Sequence, residues 1–319
     1  MAESPPLRFG IEIEALFHPH HQEPNLLVAA FAKKLAEGHD GMRSAYNDWE
    51  RDYKSWQIVH DDSLRGYGKF GPYALEVISP ILYLDSGGAW RRQIKDMFTH
   101  VGTKCNLTSN KTCGFHIHMS PGSRSPWLME ELISISFAII YFDEALLALM
   151  PQHRRNSYYL RSNLADNDRF SEQSMNGCWT ALLGLKTKGD FFDLMQNGDD
   201  ECRFAWNFAN LMPGIDTTGA TIEWRQPPGV TTVDDCLGWT ELAVEFIHAA
   251  KGWRDIGTEV EGLYAGDVDG LKEFLGERGQ YPGSDMGLLD GIFRGKAGRV
   301  SAATQRVDYP ADYDNGLWQ

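Results

Sequence analysis

Alternation of apolar and ionisable residues, repeated in four separate segments, restricts what this chain can fold into. In "RFGIEIEALF" (Arg8 to Phe17), Phe9, Ile11 and Ile13 fall on one side of an extended strand, and Glu12 and Glu14 fall on the other. "YALEVISP" sets Glu76 between apolar neighbours, and "CGFHIHMS" alternates Phe115, Ile117 and Met119 with His116 and His118. "ATIEWRQP" alternates Ile222 and Trp224 with Glu223 and Arg225. Such strands turn one face to a core. Neighbouring carboxylates on the other face repel unless a positive group lies between them. A solvated face would carry lysine and threonine, whereas these positions hold Glu, His and Arg. Glutamates with a histidine suit Mg2+ or Mn2+ near anionic oxygens, while zinc sites take more nitrogen or sulfur. Each motif alone has an ordinary reading: surface charges for Glu12 and Glu14, a structural pair for His116 and His118, a cross-strand ion pair for Glu223 and Arg225. Their conjunction favours a metal.

The rest of the chain supplies the frame. Hydrophobic and aromatic contents of 42% and 12% support an ordinary core, and 319 residues allow one large domain or two small ones. A net charge of −14 argues against nucleic acid or an anionic membrane as partner, since both need basic patches. "MAESPPLRFG" has no basic segment followed by an apolar one, and the scattered cysteines read as reduced thiols, so a cytoplasmic location is expected. The apolar run in "LMEELISISFAIIYFDEALLALM" is interrupted by charges and reads as one long buried helix. Helices are also expected in "PNLLVAAFAKKLAEG", closed by Gly38, in "AWRRQIKDMFTHVG", and from about Asp234 to Trp253. Strands separated by helices give an α+β fold with a largely antiparallel sheet. "GYGKFG" (Gly66 to Gly71) matches a dinucleotide fingerprint, but a strand follows it rather than a helix, so it reads as a hairpin loop over the substrate. The chain has no P-loop, no nucleophile elbow and no C-x-x-C pair.

Taken in order, "FGIEIE", "HDDSL…EVISP", "CGFHIHMS" and "TIEWRQPPG" resemble the amidoligase family of carboxylate–amine ligases, relatives of glutamine synthetase and glutamate–cysteine ligase. The resemblance spans roughly Leu7 to Ala250. "CGFHIHMS" is similar to the G-x-H-x-H strand of glutamine synthetases and "TIEWRQP" to their I-E-x-R strand. "NSYYLR" (Asn156 to Arg161) is similar to an N-S-Y-x-R segment that handles substrate and phosphate. The resemblance implies a glutamine-synthetase-like curved antiparallel sheet, with Mg2+ on its concave face and helices on its convex side. It implies that Glu12, His116 and Glu223 hold one Mg2+, and that Glu14, Glu76 and Asp62 hold a second. His118 and Asn156 would contact the nucleotide. Arg225, with Arg155 or Arg161, would neutralise the γ-phosphate or grip a carboxylate. The chain departs from the glutamine synthetase pattern in the spacing of Asp62 and Glu76.

The expected activity is ATP-dependent joining of a small carboxylic acid to an amine through an acyl phosphate. Two alternatives remain open: a small-molecule kinase of the guanidino type, and a metal-dependent hydrolase or oxygenase using the His-x-His strand. Residues 1–255 are expected to form the catalytic domain and 256–319 a C-terminal extension packed on it. Trp56, Trp206 and Trp239 fit the core better than a substrate pocket. The loops carry no readable code for the acid or amine, and monomer and homo-oligomer are both compatible with the sequence.

Overall fold

The computed structural model describes residues 7–21, 26–46, 52–64, 72–122, 126–155, 157, 159–197, 204–212, 220–253 and 255–302. Among these, nine strands form one sheet: β1 (Arg8–Pro19), β2 (Met42–Ser44), β3 (Trp56–Val59), β4 (Tyr73–Ile78), β5 (Leu82–Tyr83), β6 (Cys105–Thr108), β7 (Phe115–Ser120), β8 (Trp206–Asn207) and β9 (Ile222–Trp224). Their order is β2-β3-β4-β1-β7-β9-β8, and β5 and β6 also pair with β1. β2 and β3 run parallel, and the other ladders are antiparallel. The fold is α+β with a mostly antiparallel sheet.

The register carries the sequence alternation through the whole sheet. Ile13 is paired with Val77 and Phe115, Ile11 with Ile117, and Ile117 with Trp224. All are buried in one large apolar cluster with the helices. Helix Ala89–Gly102 contributes Trp90, Ile94, Met97, Phe98 and Val101, which recur at helical spacing. Helix Val28–Ala36 ends as expected, with Gly38 at φ +83° just beyond it. Helix Val233–Lys251 starts at Thr232, whose side chain accepts from the Asp235 N–H, and buries most of its length against the helix Met129–Tyr141 and the turn Leu275–Gly279. Trp56, Trp206 and Trp239 lie in this core.

Two features differ from the sequence reading. The single long apolar helix is two, Met129–Tyr141 and Asp143–Leu149, bent by 61° at Phe142. The bend sets Phe142 against Phe246 and Phe274 and lets the buried Asp143 carboxylate accept from Ser162 Oγ. β2, β5, β6 and β8 are too short to show a period in the sequence. No single helix among the described residues is long and apolar enough to cross a membrane. The helices Ile256–Leu263, Val268–Phe274 and Asp290–Phe293 contribute to the same apolar cluster as the strands.

Candidate active site

Where β1, β7 and β9 lie side by side, the polar face of the sheet gathers the alternating residues. Glu12 is paired with His116 and His118 with Glu223 across the ladders. His116 Nδ1 lies 3.2 Å from Glu12 Oε2 and 3.4 Å from Glu223 Oε1. His118 Nε2 lies 3.2 Å from Glu12 Oε1 and 3.8 Å from Glu223 Oε1. Ligand atoms of Glu12, His118 and Glu223 all fall within 4.8 Å of one another. Arg225 Nη1 donates to Glu223 Oε1 at 2.7 Å.

This arrangement keeps acids ionised inside the protein. Burial works to raise Glu12, but His118 and His116 hold its carboxyl well below the ordinary value. Glu223 is likewise raised by burial and brought below its ordinary value by Arg225, His118 and His116. Burial disfavours the charged form of His118, yet Glu12 and Glu223 push its pKa up to about 9. His118 and Arg225 supply positive charge to these acids, and a divalent cation in place of the His118 proton would do the same. His118 Nδ1 lies 3.3 Å from Thr221 Oγ1, while the buried Nε2 has no hydrogen-bond partner and looks toward the carboxylates. An imidazole anchored at one nitrogen, with the other facing carboxylates, would suit metal ligation once the ion displaces its proton. Oxygen donors outnumber nitrogen in this set, which fits Mg2+ or Mn2+.

Glu14 lies deeper. Its Oε2 accepts from the Gly114 N–H, and Oε1 is 3.5 Å from His116 Nε2. Beside it is Arg154, whose Nε and Nη2 donate to Gln226 O at 3.1 Å and Arg225 O at 2.6 Å. Burial lowers Arg154 to about 10 against the pull of Glu14. The resemblance points to its neighbour Arg155 instead, but that guanidinium donates to the carbonyls of Met150 and Ala148 at the end of helix Asp143–Leu149. The helical turn Gln152–Arg155 aims one of two adjacent arginines at the sheet, and the aim depends on where the turn is docked.

Glu76 is paired with Glu14 across β1 and β4. Burial, with the carboxylates of Glu12, Glu14 and Asp61, raises it well above the ordinary range. Asp62 does not join this group. Its side chain is 74% exposed and 3.3 Å from His60 Nδ1, so Asp61 is the acid that acts on Glu76. Arg161 is bridged to Phe204, and its carbonyl accepts from Ala205, whose own carbonyl accepts from the Arg225 N–H. Asn156 lies outside the described residues, as do the glycine-rich loop 66–71 and residues 213–219. Two further residues reach this group without a signal in the sequence: Arg154, and Asn207, whose Nδ2 donates to Glu223 Oε2 at 2.7 Å. β8, which carries Asn207, is two residues long and gives no periodic signal.

An α+β protein with carboxylates, imidazoles and guanidinium groups converging on one sheet face has the makings of an enzyme that handles charged small molecules. A sequence profile for the family described as "Putative amidoligase enzyme" matches residues 5–247, and the chain belongs to that family. A comparison with curated proteins finds no match. Among solved structures, a bifunctional glutathione synthetase from Pasteurella multocida aligns with a TM-score of 0.41 and 13% identity, covering 94% of this chain and 47% of that one. The chain thus spans about half the length of that protein, and a likeness this loose defines neither its fold nor its chemistry.

Proposed function

We propose that the chain condenses a small carboxylic acid with an amine while ATP is converted to ADP and phosphate. One observation carries this reading: in a chain of the amidoligase family, the ligand atoms of Glu12, His118 and Glu223 converge within 4.8 Å on the polar sheet face. A carboxylate does not condense with an amine at neutral pH, because oxide is too poor a leaving group. Attack of a carboxylate oxygen on the γ-phosphorus, with ADP leaving, gives an acyl phosphate. The amine nitrogen then attacks the acyl carbon, the C–O bond to phosphate breaks, and the nitrogen's proton passes to a carboxylate bordering the acceptor.

Phosphoryl transfer is chiefly a matter of positioning and charge. Glu12, His118 and Glu223 would hold Mg2+ or Mn2+, which in sites of this kind neutralises phosphate oxygens. His116 and Glu14 support these ligands from behind, and the Arg225 side chain, 25% exposed at the rim, reaches anionic oxygens of the substrate. On this reading the sheet is of the glutamine synthetase type, with its polar face concave, and residues 1–255 make the catalytic domain.

The test supplies ATP, Mg2+ and panels of acids with and without amines, and follows ADP, phosphate and the conjugate. ADP and phosphate are expected in equal amounts with an amine-dependent conjugate, and Glu12→Gln should abolish turnover while its circular dichroism is unchanged. ADP accompanied by a phosphorylated product and no phosphate would instead identify a kinase. Turnover without nucleotide would identify a hydrolase. Either outcome removes the ligase reading of this site.

A further inference from the structure

We infer that Asn207, locked by Gln196, is the positioning residue that fixes Glu223 for the cation, an inference that rests on the metal-binding reading above. The two oxygens of Glu223 have different surroundings. Oε2 accepts from Asn207 Nδ2 at 2.7 Å, while Oε1 is turned to Arg225, His116 and His118. An asparagine amide can in general turn over, exchanging its donor and acceptor ends. Asn207 cannot. Its Oδ1 already accepts from Gln196 Nε2 and from the Ala209 N–H at 2.9 Å, so the end facing Glu223 must be the donor. Asn207 and Gln196 are 3% and 0% exposed, which leaves no room for water to take over either bond.

The lock is itself anchored. Gln196 closes the helix Lys188–Met195, its N–H donating to Phe192 O at 2.9 Å. Asn163 grips Trp206 from both sides: Nδ2 donates to Trp206 O at 2.9 Å, and the Trp206 N–H donates to Oδ1 at 2.9 Å. The two-residue strand β8 is therefore braced by a side-chain amide. Buried amides thus tie the segment before β8 to the orientation of one carboxylate. A carboxylate with one oxygen engaged loses rotational freedom, and its other oxygen stays aimed at the sheet centre.

The experiment titrates Mn2+ into the full chain and follows free and bound ion by electron paramagnetic resonance. It compares wild type, Asn207→Leu, Gln196→Met and Glu223→Gln, with a thermal melt of each. Loss of such a supporting hydrogen bond typically weakens metal affinity about 10- to 100-fold, and Asn207→Leu is expected in that range. Gln196→Met, which leaves Asn207 Oδ1 held by the Ala209 N–H alone, should show a smaller loss and an altered bound-ion spectrum, with cooperative melting retained. No Mn2+ binding by wild type would remove the cation reading and this inference together. Binding that is lost in Glu223→Gln but equals wild type in Asn207→Leu would overturn the positioning role alone. If Asn207→Leu does not fold, wild-type affinity in Gln196→Met overturns it in the same way.

Discussion

A methyl group on Gly114 would lie 2.9 Å from Arg154 Nη2, 3.0 Å from His116 Nε2 and 3.2 Å from Glu14 Oε2. None of these atoms has an easy retreat. Arg154 is tied to two carbonyls, Glu14 is held by the Gly114 N–H, and His116 lies among Glu12, Glu14 and Glu223. Gly114→Ala is expected to cost about 1–3 kcal/mol in a urea melt, the usual scale for overpacking. It should also weaken Mn2+ binding, because the shift displaces His116 and Glu14. Gly102→Ala, where an added carbon meets nothing within 4 Å, is the control: it should leave Mn2+ binding at the wild-type value and, lying in a helix, should not lower the urea midpoint. Equal Mn2+ affinity in the two variants would mean that this corner of the site yields freely. The contrast with Arg154 shows what sequence can reveal at this scale. That Glu12, Glu14, Glu76, His116, His118, Glu223 and Arg225 share the polar side of the sheet is legible because a strand repeats every two residues. Arg154 rather than Arg155, and Asp61 rather than Asp62, depend on how a short turn and a loop are docked. Neighbouring residues of one type give no clue to that.

At the scale of elements, long pieces were legible and short ones were not. β1, β4, β7 and the helix Ala89–Gly102 each run through enough residues for a period to appear. β8 owes its place to Asn163, Trp224 and Glu223, all distant in the chain. The break at Phe142 was hidden because both halves of the run are apolar and helical. A close helix crossing was equally invisible. At Gly257 an added Cβ would lie 1.9 Å from the ring of Trp179, so helix Ile256–Leu263 meets helix Met175–Leu183 almost backbone to ring. The Trp179 ring is buried and packs on Phe137 at a centroid distance of 5.1 Å, which closes its escape. Gly257→Ala should therefore reach the upper end of overpacking costs, about 3 kcal/mol, with the loss read as a lower urea midpoint. The site lies on other elements, so Mn2+ affinity well below the melting temperature should stay at the wild-type value. A midpoint unchanged from wild type would show that the two helices can part without cost.

At the scale of the whole molecule, a second group of ionisable side chains joins two helices to the C-terminal segment. Glu241, on helix Val233–Lys251, accepts from Arg91, from Tyr281 Oη at 2.7 Å and from the Asp285 N–H at 2.8 Å. It thus links the helix Ala89–Gly102 to the C-terminal segment. One turn further on is Glu245, fully buried, with neither carboxylate oxygen bonded to a donor. Burial and the nearby Glu241 carboxylate, opposed by Arg91 and aided by Asp285, raise Glu245 to about 8. At neutral pH it therefore carries a proton that it can share with Glu241. The folded state binds this proton more tightly than the unfolded chain does, whose glutamates titrate near 4.3. The resulting stabilisation is complete below that value and is lost as pH rises through about 8. Melting temperature should accordingly decline between pH 6 and pH 9. His118, raised to about 9, and Asp143, raised to about 7 by burial, decline in the same direction, so the wild-type curve alone does not isolate Glu245. Glu245→Gln does. Its amide can donate to Glu241 as the protonated acid does, but it has no proton to lose. The variant should match wild type near pH 6 and exceed it near pH 9, with the difference opening around pH 8. Parallel curves for the two proteins would mean that Glu245 ionises at no cost to the packing of the C-terminal segment.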